Sequence, residues 1–346
     1  MKNAFLGRHA GLLVALSALL GAGPVWSQEQ APNQKASDAK VWETPAIEGV
    51  VAAGTKIELI KDGFTGTEGP VTLPDGSLIF TETQANRVTR IAPDGSTSVF
   101  VEGSNGANGL GFTANGDLYA VQVLKPRVGI IFPPPKVRTL ADNYEGKPFG
   151  RPNDLVVDQQ GNVYFTDSGV NPPAAGQPAP PANQPEPAKP AVYRINNKGA
   201  LQRLAADIER PNGIQLSPDE HVLYVANTWG EYVLAYDIAS DGAIGPKRNF
   251  AKLAGWKKTE GGGPSGGGSS GADGLAVDEA GRLYVASNSG IEVFSNKGEA
   301  LGTIALPKQP QNLAFAGDDK KTLFVVGRGA AYRIAVLTPG FGGRAK

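Results

Sequence analysis

The chain runs to 346 residues with 33 Lys and Arg against 33 Asp and Glu, no cysteine and two histidines. That balance gives no electrostatic basis for a nucleic-acid or anionic-membrane partner, and the lack of thiols excludes disulfides, thiolate catalysis and Cys-ligated metal sites. His9 lies in the leader described next, so a Ser-His-Asp arrangement would have to use His221, which sits in the turn Ser217-Pro218-Asp219-Glu220-His221 and reads as a solvated turn residue.

Residues 1–27 combine a charged start (Met1 to Arg8), an apolar run from Ala10 to Leu20 and small residues leading to Ser27. This pattern predicts a secretory signal peptide, with an uncleaved anchor as the alternative, because the apolar run is too short to span a bilayer. The expected product is a periplasmic or secreted monomer with no membrane association after cleavage. Residues 28–46 are rich in Gln, Ala, Lys, Asp and Pro and predict a disordered lead. An alternating stretch from Lys56 to Ile60 follows, and its expected place is the outer strand of the last structural repeat, closing a ring.

From residue 47 to 340 one plan recurs six times. A polar residue heads a short apolar strand, a Gly or acidic turn follows, and an aromatic-rich strand returns. The six starts are Glu68-Gly69-Pro70-Val71, Asn108-Gly109-Leu110-Gly111, Asn153-Asp154-Leu155-Val156, Asn212-Gly213-Ile214-Gln215, Asp273-Gly274-Leu275-Ala276 and Asn312-Leu313-Ala314-Phe315. Strand-and-turn sequence at intervals of roughly 40 to 60 residues predicts an all-β, six-bladed β-propeller of four-stranded antiparallel blades around a central channel. Two insertions account for the long intervals: Asn171 to Pro190, dominated by Pro, Ala and Gln, and Lys257 to Gly271, dominated by Gly and Ser. The second enters directly before Asp273 and therefore borders the same mouth as the leading residues. Its Gly run lacks the Gly-Lys-Ser/Thr ending of a phosphate loop.

If the first strand of every blade lines the channel, the six leading residues form one polar ring. Carboxylates from Glu68 and Asp273 with amide oxygens from Asn153 and Asn212 make an all-oxygen donor set, suited to one hard divalent cation. Ca²⁺ comes first on softness grounds, with Mg²⁺, Mn²⁺ and Zn²⁺ as alternatives. Turn chemistry also explains Asn or Asp before Gly at any one of these positions taken singly.

Several motifs in order carry a family resemblance: Thr67-Glu68-Gly69-Pro70, Arg151-Pro152-Asn153-Asp154-Leu155-Val156-Val157-Asp158, Tyr164-Phe165-Thr166-Asp167, Arg210-Pro211-Asn212-Gly213 and Asp273-Gly274-Leu275-Ala276-Val277-Asp278. Together they resemble the SMP-30/gluconolactonase/luciferin-regenerating-enzyme family over about residues 55 to 335. Asn108-Gly109-Leu110 and Leu140 to Lys147 look most like its bacterial gluconolactonase branch. The resemblance implies a hydrolase of sugar lactones with a divalent metal held by Glu68, Asn153, Asn212 and Asp273. It also implies Asp273 as the catalytic base, Asn108 as a contact to substrate or to a metal-bound water, and Arg151 as a contact to sugar hydroxyls or an acidic substrate group. A broader metal-dependent esterase or phosphotriesterase, and a non-catalytic propeller that binds a ligand or protein, are the competing readings.

Overall fold

The short runs bounded by Gly, Asn and Asp fold as hairpins. In the computed structural model, which describes residues 41–171, 185–258 and 267–343, they build six four-stranded antiparallel sheets. The signal segment, the lead up to residue 40 and the middle of each insertion lie outside these residues.

The innermost strands are Thr67–Thr72, Ala107–Phe112, Pro152–Val157, Pro211–Leu216, Leu275–Val277 and Asn312–Ala316, in blades 1 to 6. Each packs against the innermost strand of the next blade, and blade 6 packs back on blade 1, so the six form a closed ring. The outer strand of blade 6 is supplied from the other end of the chain, as the alternation before the first repeat predicts. Glu58–Asp62 pairs antiparallel with Ala330–Ala335, and Arg333 donates from Nε and Nη2 to the Glu58 carboxylate at 2.8 and 2.7 Å. A closed ring leaves few free sheet edges.

Blade faces bury their alternating apolar residues against neighbouring blades. Phe149, Phe165 and Tyr193 form one such layer, with Phe165 stacked on Tyr193 at 5.2 Å between centroids. Each fully buried large side chain of this kind contributes about 1.5–3 kcal/mol through removal from water. Within residues 41–46, which fall in the segment expected to be unstructured, two side chains are packed instead. Trp42 lies against the cluster of Val50, Val51, Tyr284 and Phe315, and Thr44 is buried and bonded to Ala52 O at 2.7 Å. The polar composition of residues 28–40 masked this apolar anchor.

A recurrent bulge shapes the channel. In blades 1 to 4 the pairing of the innermost strand with the second strand slips by one residue, between Glu68 and Val71, Ala107 and Leu110, Pro152 and Leu155, and Pro211 and Ile214. A β-bulge inserts one unpaired residue and re-aims the side chains beside it. Here it falls at or next to the leading polar residue of each repeat. Threonine hydroxyls in or just after the second strands tie each of three blades to the innermost segment of the next. Thr81 Oγ1 donates to Asn108 O at 2.8 Å, Thr166 Oγ1 to Asn212 O at 2.5 Å, and Thr228 Oγ1 to Ala272 O at 2.8 Å.

Candidate metal and substrate site

The residue after a leading position is often glycine because adjacent blades approach very closely there. A Cβ on Gly213 would lie 2.0 Å from Asp273 O, and one on Gly274 would lie 2.1 Å from Asn312 Oδ1. These contacts exclude any side chain and draw the leading residues of neighbouring blades toward the channel axis.

Glu68, Asn153 and Asn212 are buried, at 7, 7 and 8 % exposure, and Asp273 is partly buried beside them. Glu68 is held across the junction of blades 6 and 1. Gln311 Nε2 donates to its Oε1 at 3.3 Å and Asn312 Nδ2 to its Oε2 at 3.2 Å. Asn312 therefore clamps one of the two carboxylates, a role with no signal in the sequence beyond its place in the repeat. Asn212 is oriented by Thr228, whose Oγ1 accepts from Asn212 Nδ2 at 3.0 Å. With the NH₂ group anchored, Asn212 Oδ1 is buried with no hydrogen-bond donor, and the same holds for Asp273 Oδ1. Two buried oxygens without donors, beside a second carboxylate, are what a hard cation requires. Among the described residues no three His, Cys, Asp or Glu side chains are arranged to hold a metal, so any metal set at this mouth depends on amide oxygens as well as carboxylates.

Asn108 lies slightly deeper, at 1 % exposure, and both ends of its amide are engaged within the protein. Its Nδ2 donates to Asn153 O at 2.8 Å and to Asn153 Oδ1 at 3.3 Å, while its Oδ1 accepts from Thr83 at 3.1 Å. The structure thus gives Asn108 a hold on Asn153. Arg151 is fixed through its backbone, which donates to Asp167 Oδ1 at 2.7 Å, and its guanidinium has no hydrogen bond or ion pair among the described residues. Its charge favours the ionised forms of Glu68 and Asp273.

Electrostatically the site is under tension. Burial pushes Glu68 up to about 7; the Asn312 hydrogen bond opposes this, the Asp154 charge adds to it, and Arg151 opposes it. Burial likewise raises Asp273 well above the usual carboxylate range, reinforced by Glu68 and then Asp154 and opposed by Arg328 and Arg151. Asp154 is fully buried and accepts from Leu155 N at 2.9 Å. Its acidic field in the channel is not apparent from a position that reads as turn chemistry in sequence. Two carboxylates that resist ionising side by side, with donors on only part of their oxygens, favour a divalent cation between them.

Other charged side chains of the repeats are engaged within the fold. Arg87 pairs with the buried Glu82 at 2.8 Å. Arg210 stacks over Trp229 at 5.2 Å and donates to Ser168 O at 2.9 Å, closing the rim where the first insertion leaves blade 3. His221 is exposed on its turn, its Nδ1 2.6 Å from Asp219 O. Concavities of about 590 and 860 Å³ lie at the opposite face, among turns such as Thr113–Asp117 and Asp158–Gly161, away from the ring of leading residues.

A closed six-bladed propeller whose innermost strands carry two buried, mutually coupled carboxylates beside amide side chains defines the class of protein. Within that class the chain belongs to the SMP-30/gluconolactonase/LRE-like family, whose sequence profile matches residues 66–328. A gluconolactonase of Zymomonas mobilis is 28 % identical, with the similarity covering 96 % of each chain. Among solved structures, a Xanthomonas campestris gluconolactonase superposes with a TM-score of 0.70 at 27 % identity, covering 86 % of this chain and 94 % of that one. Regucalcin of Agrobacterium tumefaciens, a calcium-binding protein, shares the fold with a TM-score of 0.64 at 17 % identity over 83 % of this chain and 95 % of that one.

Proposed function

We propose that this protein is a divalent-cation-dependent lactone hydrolase that opens a sugar lactone of the gluconolactone type, and that it works in the periplasm or outside the cell. The reading is supported by the family, by the relatives named gluconolactonase and, above all, by the buried, donor-free oxygens of Asn212 and Asp273 beside the Glu68 carboxylate. The export assignment rests on the leader of residues 1–27.

Glu68, Asn153, Asn212 and Asp273 are the residues that would hold the cation, with Ca²⁺ the expected ion from the all-oxygen set. When bound, the ion supplies Lewis acidity toward a carbonyl oxygen and toward water. The protein's own groups do the rest. Asp273, with its proton affinity raised by burial, is the group that would take the proton of the attacking water, one carboxylate oxygen being left for this when the other faces the cation. Arg151 donates hydrogen bonds to lactone or hydroxyl oxygens from a guanidinium with no competing partner among the described residues. Thr228 and Asn312 keep Asn212 and Glu68 from rotating out of place. Neither a histidine nor a thiol takes part.

Purified protein assayed on a panel of lactones, aryl esters and phosphotriesters, with EDTA and with Ca²⁺ or Zn²⁺ added back, tests this directly. Sugar-lactone opening that EDTA abolishes and Asp273→Ala removes, with the fold intact by circular dichroism, supports it. Hydrolysis that survives Asp273→Ala refutes the base assignment; preference for phosphotriesters overturns the substrate class.

A further inference from the structure

Between the second and third strands of blade 6 the chain turns in two residues, Arg328 and Gly329, flanked by the pair Gly327 and Ala330. Both turn residues have positive φ, 49° and 80°, the signature of a type I′ hairpin turn. Turn chemistry places Asn or Gly at the first of these positions, and an arginine there costs about 1 kcal/mol relative to them. A strained backbone at a site's rim points to a use for the side chain that occupies it.

The surroundings show what that use is. Arg328 N donates to Gln311 Oε1 at 2.8 Å, the same Gln311 whose Nε2 reaches Glu68 at 3.3 Å and whose carbonyl accepts from Gly274 N at 2.8 Å. Arg328 thus sits where the holders of Glu68 and Asp273 meet. Its guanidinium is exposed, and its side-chain partner is a neutral one, Gln309 Oε1 at 3.1 Å. Gln309 is in turn fixed by Asn288 at 2.8 Å. The neighbouring Lys308 is neutralised by Asp62 at 2.7 Å, whereas Arg328 has no carboxylate within ion-pair distance among the described residues. The amide contact therefore aims the guanidinium while leaving its charge and most of its five donors unused.

We propose that Arg328 is a specificity-determining residue that binds an anionic oxygen group on the lactone, so that the preferred substrates are sugar lactones bearing a second, acidic substituent. The proposal rests on the lactonase reading above. Planar guanidinium recognition of a carboxylate, sulfonate or phosphate supplies the chemistry.

The test compares D-glucaro-1,4-lactone, which carries a carboxylate at C6, with D-glucono-1,4-lactone, which carries a hydroxyl there. Arg328→Asn is the informative variant, because Asn-Gly is the favoured dipeptide for this turn and the hairpin keeps its conformation. The expected result is a fall of about tenfold in the acidic-to-neutral ratio of kcat/KM, the size of one charge-assisted hydrogen bond. The loss appears mainly in KM, Arg328→Lys retains part of the ratio, and added salt narrows the difference. An unchanged ratio, or a parallel loss on both lactones, overturns the inference while leaving the lactonase reading in place. Failure of the wild-type protein to open either lactone overturns both.

Discussion

Replacing Glu68 with Gln in metal-free protein should remove a loss of stability that grows with pH, so that the variant is the less stable protein in acid and the more stable one above neutrality. The folded Glu68 carboxyl titrates at about 7 rather than the ordinary 4.5. A tenfold change in proton affinity is worth about 1.4 kcal/mol, so this gap amounts to about 3 kcal/mol. Below pH 4.5 the group is protonated in the folded and unfolded chain alike, and the associated stability is fully present. As pH rises the unfolded chain ionises first, and the stability drains away until the folded group also ionises near pH 7. Gln has no such titration, although it loses one of the two amide donors now bonded to Glu68, a cost of about 1 kcal/mol. EDTA-treated Glu68→Gln should therefore unfold at lower urea than wild type at pH 4.5, by about 1 kcal/mol, and at higher urea at pH 8, by about 2 kcal/mol. Saturating Ca²⁺ at about a hundred times its Kd should stabilise wild type by roughly 3 kcal/mol and the variant far less. Urea titrations at the two pH values, with and without Ca²⁺, decide the matter. A difference between the proteins that does not change sign with pH, or an undiminished Ca²⁺ response in the variant, refutes the reasoning.

Asp273→Ala should lower lactone kcat by about a hundredfold or more, the typical contribution of a positioned base, without lowering the unfolding midpoint measured in EDTA at pH 8, where burial disfavours the Asp273 charge. Gly213→Ala should cost about 2–3 kcal/mol and impair hydrolysis as well, because the new Cβ meets Asp273 O at 2.0 Å and one backbone must yield; normal activity at normal stability would show that the blades separate freely there. A chain beginning at Thr65 lacks the strand that closes blade 6 and should lose its cooperative thermal transition, followed by calorimetry, whereas retention of a wild-type transition would mean that closure contributes little.

The architecture was legible because each blade repeats a local pattern: Asp75-Gly76 and Asp278 to Gly281 carry turn chemistry, and the strands between them alternate. The proposed donor set comes from the same repetition, since all four of its residues occupy one position of the repeat. Relations that cross the ring were not. Asn312 bonds to Glu68 across 244 residues, and Gln311 does so across 243. Only closure of the ring brings these residues together. The bulge was hidden as well, because one extra residue in a strand leaves no compositional trace, and it decides that Asn108 Nδ2 reaches Asn153. Trp42 was overlooked because its neighbours up to residue 40 are polar. Arg328 was silent because an arginine between two glycines reads as an ordinary solvated turn.

The strand Glu58–Asp62 finds its partner 275 residues further along, and Glu68 lies just beyond that strand while the side chains gripping it belong to the last blade. The seam of the ring and the mouth of the site are therefore the same place. A chain still emerging from the ribosome, or held open by a carrier, has five blades' worth of sequence and no finished cradle for Glu68. Cation affinity at the mouth should consequently appear in a single step as the last blade docks, so that a titration of bound Ca²⁺ during refolding would count closed rings and nothing less complete.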